Sequence, residues 1–297
     1  MTDFRLKVFL SVAEHLSFTK AAKELFISQP AISKHIQELE SDFKTTLFER
    51  KGNTISLTVS GELLVDHAKE LLFKYEQIEY EMHQLNGDYV GELRIGASTT
   101  IAQYVLPPIL AKFLETYPKV KLSLLSGNSR EIEDALENHK IDIGLIEGTL
   151  RRSNLKYITF LKDSLVVIAS VKNKKAKRIP SIILKNELYN YPLILREQGS
   201  GTLDVIEKEF ANAHIKLKSL NIPLYLGSTE SIKLFVQNSD CLGIVSIRAV
   251  EQELSTNLLR KVSIADLLMN REFCFVSLQG ELSGLAQQFI RFAEAYK

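Results

Sequence analysis

Residues 17–40 read SFTKAAKELFISQPAISKHIQELE. Apolar residues recur at helical spacing on both sides of a proline, a residue that breaks helix interiors. Ser17 is placed to cap a helix from about Phe18 to Leu25, with Ala21, Ala22 and Leu25 facing inward. The stretch FIS then makes a short turn. Ser28 is an N-cap for the next helix, and Pro30 falls in its first turn, where a missing N–H costs nothing. Pro30 therefore starts a helix and breaks none. Ile32, Ile36, Leu39 and Phe43 form the inward stripe, which leaves Gln29, Ser33, Lys34 and Gln37 on the other face with no core role.

The flanks extend this pattern. Upstream, DFRLKVFLSVAEH predicts a helix capped by Asp3, with Phe4, Val8, Phe9 and Val12 on one face. Downstream, the extended runs Leu47–Arg50 and Thr54–Leu57 flank the turn signal KGN, which predicts a small β-hairpin. Three helices and a hairpin over 1–58 are the order of a winged helix-turn-helix. From Thr58 a long helix runs towards Asn86–Gly87. Its apolar positions Leu64, Ala68, Leu71, Tyr75, Ile78, Met82 and Leu85 step alternately by four and three residues. That spacing is a coiled-coil seam, and it predicts a dimerisation helix over 59–87. Packing against its own domain is the other use of such a stripe.

After NGDYVGE the texture changes. ELRIGAS, VKLSLLSG, IDIGLIEG, DSLVVIAS, PLILRE, IPLYLGS, CLGIVSI and REFCFVSL read as strands. They are interleaved with the helical patterns TIAQYVLPPILAKFLETYP, SREIEDALENH, TLDVIEKEFANA, STESIKLFVQNS and SGLAQQFIRFAEAYK. Alternating strands and helices imply α/β lobes with largely parallel sheets, and residues 88–297 suffice for two.

Composition excludes several classes. The chain has 297 residues, 45% hydrophobic and 25% charged, with a net charge of +1. No global field draws it to nucleic acid or membrane, so binding to a polyanion must come from local charge placement. Residues 1–60 hold Lys or Arg at 5, 7, 20, 23, 34, 44, 50 and 51 against acids at 3, 14, 24, 38, 40, 42 and 49. That near-balance does not by itself imply DNA binding. The first residues lack the form of a signal peptide, and no apolar run reaches bilayer length, so no membrane association is expected. Two cysteines, Cys241 and Cys274, are too few for a disulfide framework and lie in apolar strand-like stretches, which predicts inert buried thiols in a reducing cytoplasm. The six histidines show no metal-ligand spacing, and neither a P-loop, GxSxG nor a complete GxGxxG is present, so no metal, cofactor or catalytic role is expected. KNKKAKR at 172–178 reads as a solvated charge run.

Several strand-to-helix junctions share one chemistry. IGASTTIAQY, SGNSRE, LREQGSGTLDV and LGSTES place hydroxyls at helix starts, where N–H groups and the helix dipole favour anions. Arg196 precedes the glycines of the third junction, as an anion partner or as a structural partner for a nearby acid. Each Ser or Thr alone is equally well read as a plain helix cap.

Along essentially its full length the chain resembles LysR-type transcriptional regulators. The carrying residues are SFTKAAKELFISQPAISKHIQELE, LFERKGNTISLTVSGELL, GELRIGASTTIAQYVLPPILAKFLETYPKVKLSL and IDIGLIEG. The resemblance implies an α-rich winged helix-turn-helix and a long coiled-coil linker helix. These precede an α/β effector domain of two Rossmann-like lobes, of the type 2 periplasmic-binding-protein kind. Lobe I is expected at about 88–162 and 266–297 and lobe II at about 163–265, with crossings near Lys162 and Asp266. The implied partners are double-stranded DNA, a small-molecule effector, further copies of the chain as a homodimer or homotetramer, and RNA polymerase. For DNA the resemblance points to Ser28, Gln29, Pro30, Ser33, Lys34 and Gln37. Gln can pair with adenine; Lys34 stands where many members carry Arg, and a point charge lacks the fork. Arg50 and Lys51 flank the wing tip and suit phosphate or minor-groove contact. For the effector it points to Ser98, Thr99, Thr100, Gln103, Ser129, Arg196, Ser200, Thr202 and Thr229. REQGSGT is similar to subgroups controlling sulfur assimilation and carbon fixation, which implies a small anionic metabolite as co-inducer. A cytoplasmic solute-binding module or small-molecule enzyme with an accessory helical domain is the alternative.

Overall fold

The computed structural model describes residues 4–51, 54–85, 89–149, 151–280, 282 and 284–296. The chain divides into two compact units, 1–88 and 89–297.

The first unit contains α1 (Phe4–His15), α2 (Phe18–Glu24), α3 (Gln29–Phe43), β1 (Phe48–Lys51), β2 (Thr54–Leu57) and α4 (Val59–Leu85). Ser17 and Ser28 cap α2 and α3: the Lys20 and Ala31 amides donate to their hydroxyls at 3.3 Å each. Pro30 is the second residue of α3. Val8, Phe9, Val12, Ala21, Ile32, Ile36, Leu39 and Leu47 form the core. Ala21 is fully covered, as a close α1–α2–α3 crossing requires. Two polar side chains set the entry to α4. Glu40 Oε1 accepts the Leu47 amide at 2.8 Å, and Thr58 Oγ1 donates to the Thr46 carbonyl at 2.7 Å while accepting from Gly61 N at 3.0 Å. Gly61 must be glycine, because a Cβ would lie 2.2 Å from the Leu47 carbonyl oxygen.

Two inward expectations are corrected. Phe43 is exposed because α3 ends there and Lys44 turns left-handed at φ 52°. Phe4 is also exposed, and its ring meets His35 edge-on at the surface. Asp3 and residues 86–88, the expected first cap and the end of the long helix, lie outside the described residues. The α4 stripe divides. Leu64 and Ala68 pack into the unit's own core, whereas Leu71, Ile78 and Met82 are exposed. Tyr75 is half-buried, and the Leu85 side chain lies outside the described residues. Leu63 and Val59 are exposed as well, but about 80° and 120° around the helix from the line of Leu71, Ile78 and Met82 at 100° per residue.

The second unit runs β3 (Gly91–Ser98), α5 (Thr99–Tyr104), α6 (Leu106–Thr116), β4 (Val120–Gly127), α7 (Ser129–Glu137), β5 (Ile143–Glu147) and β6 (Leu155–Ser170). It continues with β7 (Ile182–Ile183), β8 (Leu193–Arg196), α8 (Gly201–Asn212), β9 (Leu224–Leu226), α9 (Thr229–Gln237), β10 (Leu242–Ser246) and α10 (Glu251–Ser255). It closes with β11 (Leu259–Ile264), β12 (Met269–Leu278) and α11 (Gly284–Ala295). The strands pair in the order β4-β3-β5-β12-β6-β10-β8-β9, with β11 between β6 and β7. Pairing is parallel among β4, β3 and β5 and among β10, β8 and β9. It is antiparallel wherever β6 and β12 take part.

These two long strands join two lobes. The first half of β6 and the end of β12 belong to lobe I, whose core holds Phe113, Phe275 and Phe289 in edge-on contact. The second half of β6 meets β10 and β11 in lobe II, whose core gathers Val167, Leu195, Phe210 and Met269. Asp163 of β6 stands opposite Arg271 of β12 where both strands change lobe. Asp266 sits in the left-handed turn just before β12.

Three local readings differ from the sequence expectation. The helix over TIAQYVLPPILAKFLETYP is broken at Val105, because Pro107 and Pro108 cannot supply the amides that would continue α5. DSLVVIAS is only the second half of the sixteen-residue β6. The strands β7 and β11 and the short α10 carry no periodicity strong enough to be read.

Candidate functional site

On α3, Ser28, Gln29, Pro30, Lys34 and Gln37 are exposed and Ser33 is half-buried. Gln29 Nε2 donates to Ser33 Oγ at 2.9 Å, one helical turn on, so the two side chains are oriented as a pair. Lys34 Nζ is 4.0 Å from Glu38, a loose exposed pair. The Ser28 hydroxyl is engaged as the helix cap. The Arg50 and Lys51 side chains lie outside the described residues, although their backbone is in β1. One exposed residue escapes the sequence reading. Phe26, in the turn between α2 and α3, is 95% exposed and held at φ 54°.

In the second unit the junctions predicted from sequence meet between the lobes. Arg196 ends β8 in lobe II and is only 1% exposed. Its Nη1 donates to Thr99 Oγ1 of lobe I at 2.9 Å, and its Nε and Nη2 fork onto Glu197 at 2.8 and 2.9 Å. Thr100 and Thr229 face each other across the lobes, 3.4 Å between hydroxyls. One turn further along both helices, Lys233 Nζ meets Tyr104 OH at 3.1 Å and is held by Glu230 and Glu253 at 2.8 Å each.

Behind these contacts lies a buried carboxylate. Glu147, at the end of β5, accepts hydrogen bonds from Ser98 and from Thr202, while its carbonyl accepts one from Ser129 Oγ at 2.7 Å. Thr202 Oγ1 also accepts from Arg271 Nη1 at 2.8 Å, and Arg271 Nε donates to Asp163 at 2.7 Å. Ser246 donates to the other Asp163 oxygen at 2.8 Å. Arg271 Nη2 is buried without a partner among the described residues. Gly201 lets the chain close here, since a Cβ would sit 1.8 Å from the Glu147 carbonyl oxygen. Ser200 is buried and caps α8 through the Thr202 amide at 3.3 Å. Asp204, in the first turn of α8, is pushed up to about 6, chiefly by burial and then by Glu207, against the pull of Arg130.

The structure therefore brings Ser98, Thr99, Thr100, Ser129, Arg196, Ser200, Thr202 and Thr229 to the facing edges of the lobes. Gln103 is on α5 but exposed. The residues missed from sequence are the charged ones: Glu147, Asp163, Glu197, Lys233 and Arg271. An acid closing an apolar strand, as in IGLIE, reads as the first residue of a loop. Its only signal is that it directly follows an unbroken run of core strand. Cys241 and Cys274 are buried, and burial pushes both thiols up. Among the described residues no helix is long and apolar enough to cross a membrane.

Two family models match. Residues 4–62 fit the bacterial regulatory helix-turn-helix protein model of the lysR family, and residues 86–297 fit the LysR substrate binding domain. The HTH-type transcriptional regulator CysL of Bacillus subtilis is 32% identical over 91% of this chain and 89% of its own. The Synechocystis PCC6803 CcmR regulatory domain, solved with 2-PG, superposes with a TM-score of 0.61 at 26% identity, covering 69% of this chain and 97% of that one. Full-length CbnR, solved with its target DNA, shares the fold end to end at a TM-score of 0.67 and 20% identity, with all of both chains covered. With a winged helix-turn-helix followed by a two-lobed effector domain, and both matched to the same family, the chain belongs to the LysR family of transcriptional regulators and is not an enzyme.

Proposed function

We propose that this regulator binds promoter DNA through α3 and is controlled by a small anion held between the lobes of its second unit. The observation that carries the effector half is the cross-lobe bond from the buried Arg196 to Thr99, beside the Thr100–Thr229 pair. A cation with hydroxyl donors at the seam of two lobes suits an anion, and a ligand touching both lobes biases the angle between them. The 2-PG (2-phosphoglycolate) bound by the CcmR domain is an anion of this kind. Residues 1–58 act as the DNA-binding domain, 59–87 as the linker helix and 88–297 as the effector domain. Gln29, Ser33 and Lys34 read the major groove, supported by Ser28, Pro30 and Gln37, and Arg50 and Lys51 grip phosphate. CbnR, whose fold this chain shares, is bound to target DNA. The first unit's modest charge favours two or four copies acting together, joined along α4, because each added copy multiplies the phosphate contacts. The site of action is the cytoplasm, with RNA polymerase as the further partner.

The test is DNA binding and thermal melting of the full chain with 2-phosphoglycolate, sulfate, sulfite, thiosulfate and O-acetylserine. An anion that raises the melting temperature and alters the footprint of the native chain, and does neither for Arg196→Gln, supports the effector half. Stabilisation by bulky apolar compounds alone sinks it. Ser33→Ala with Lys34→Ala should abolish specific DNA binding while the melting temperature of the second unit stays unchanged.

A further inference from the structure

Every buried cation among the described residues is already matched by carboxylate. Arg196 forks onto Glu197, Lys233 is held by Glu230 and Glu253, and Arg271 faces Asp163 at 2.7 Å and Glu147 at 3.5 Å. All three stand where the lobes meet, so the seam offers no surplus of positive charge. Apart from the buried Arg271 Nη2 and the unshared hydrogens of Arg196, the donors that remain are neutral hydroxyls. Ser98, Ser129 and Thr202 have committed their hydroxyl hydrogens to Glu147. Thr99 accepts from Arg196 and so keeps its own hydrogen, and the Thr100–Thr229 pair uses one hydrogen and retains the other.

From this placement we infer that Glu197 is a charge selector, and that the effector presents a single negative charge to Arg196. The inference rests on the reading of the seam as an anion site and narrows it. Glu197 takes the Nε–Nη2 edge of the guanidinium, the edge an anion would otherwise grip in a two-point fork. An anion reaching Arg196 therefore meets a neutralised pair and binds through the Nη1 side, shared with Thr99. A singly charged oxyanion is satisfied by that hydrogen bond and the threonine hydroxyls. A second negative charge on the same group lies close to the Glu197 carboxylate and is repelled by it. Glu197 is 26% exposed, so it can be altered without opening the core.

Sulfate and methanesulfonate separate charge from shape, being tetrahedral sulfur oxyanions of similar size with two charges and one. Titrated calorimetrically into the full chain at constant ionic strength, methanesulfonate should bind at least about tenfold more tightly than sulfate. Glu197→Gln keeps the side-chain size and should narrow that ratio by about tenfold, mainly by strengthening sulfate. Glu197→Ala should do the same, and thermal melts of both variants report whether the fold is kept. An unchanged ratio in the folded variants, or a native preference for sulfate, overturns the selector while leaving the anion site standing. Failure of both anions to bind any of the three proteins removes the anion site itself, and the selector with it.

Discussion

Asp204 illustrates how a single side chain links the seam to solution conditions. Burial is the largest cause of its raised value of about 6, followed by Glu207, with Arg130 acting in the opposite sense and Glu133 and Glu147 adding smaller repulsions. A carboxyl raised in the folded state binds more protons folded than unfolded between about pH 4 and pH 6. Its unfavourable contribution is therefore absent at low pH, grows as pH rises through that window and is complete above it. A rise from the ordinary aspartate value to about 6 corresponds to at most about 3 kcal/mol, and partial solvent screening brings this to roughly 1–2 kcal/mol. Asp204→Asn should raise the melting temperature at pH 8 by about 2–6 °C and change it little at pH 4. A differential scan at the two pH values decides it; an equal change at both would mean the gain has another origin. The same scale marks the limit of what the sequence reveals. REQGSGT exposes Arg196 as a candidate, but the fork to its neighbour Glu197 depends on how the strand end turns. Residue type says nothing of that turn.

Among the elements, α4 is the most legible in spacing and the least in direction. The run Leu64, Ala68, Leu71, Tyr75, Ile78, Met82 identifies an apolar stripe from periodicity alone. Periodicity does not reveal that the first turns are consumed by the helix's own domain, where Leu64 and Ala68 close the core. The face left open runs through Leu71, Ile78 and Met82, all exposed. The two halves should respond differently to charge. Leu71→Glu with Ile78→Glu removes two apolar contacts of roughly 2 kcal/mol each from a pairing helix, weakening self-association by about a thousandfold. The melting temperature of the first unit should hardly change. Ala68→Asp places an unpaired acid in the core and should lower that melting temperature steeply. Sedimentation of both variants separates the cases, and an unaltered sedimentation profile for the double variant would exclude this face from assembly. By contrast, α3 is legible down to its cap, because Ser28, Pro30 and the inward Ile32, Ile36 and Leu39 are all local signals.

At the scale of the effector unit, the organising fact is that two strands, β6 and β12, serve both lobes. REFCFVSL is apolar enough to be seen as a strand, but the first half of β6 mixes polar and apolar residues and its continuity is set by pairing with β12. Where these strands cross, Arg271 binds Asp163 directly and reaches Glu147 through Thr202. One guanidinium thus ties the crossing strands to β5 of lobe I and α8 of lobe II. Breaking such a buried group by removing one partner costs more than the pair contributes, because the remaining charges stay buried and unmatched. Arg271→Met keeps most of the volume, leaves Glu147 without a cation and leaves Asp163 only the exposed Arg248 at 3.8 Å, and should destabilise the second unit by about 3 kcal/mol. Urea unfolding followed by far-ultraviolet circular dichroism measures it, as a lower midpoint with an unchanged slope. Asp163→Asn in the Arg271→Met background removes one stranded charge and should recover part of the loss. That recovery is the discriminating result. If the two changes instead add independently, the charges are not coupled through Arg271, and the crossing owes its stability to the apolar packing of Phe273, Phe275 and Met269 around it.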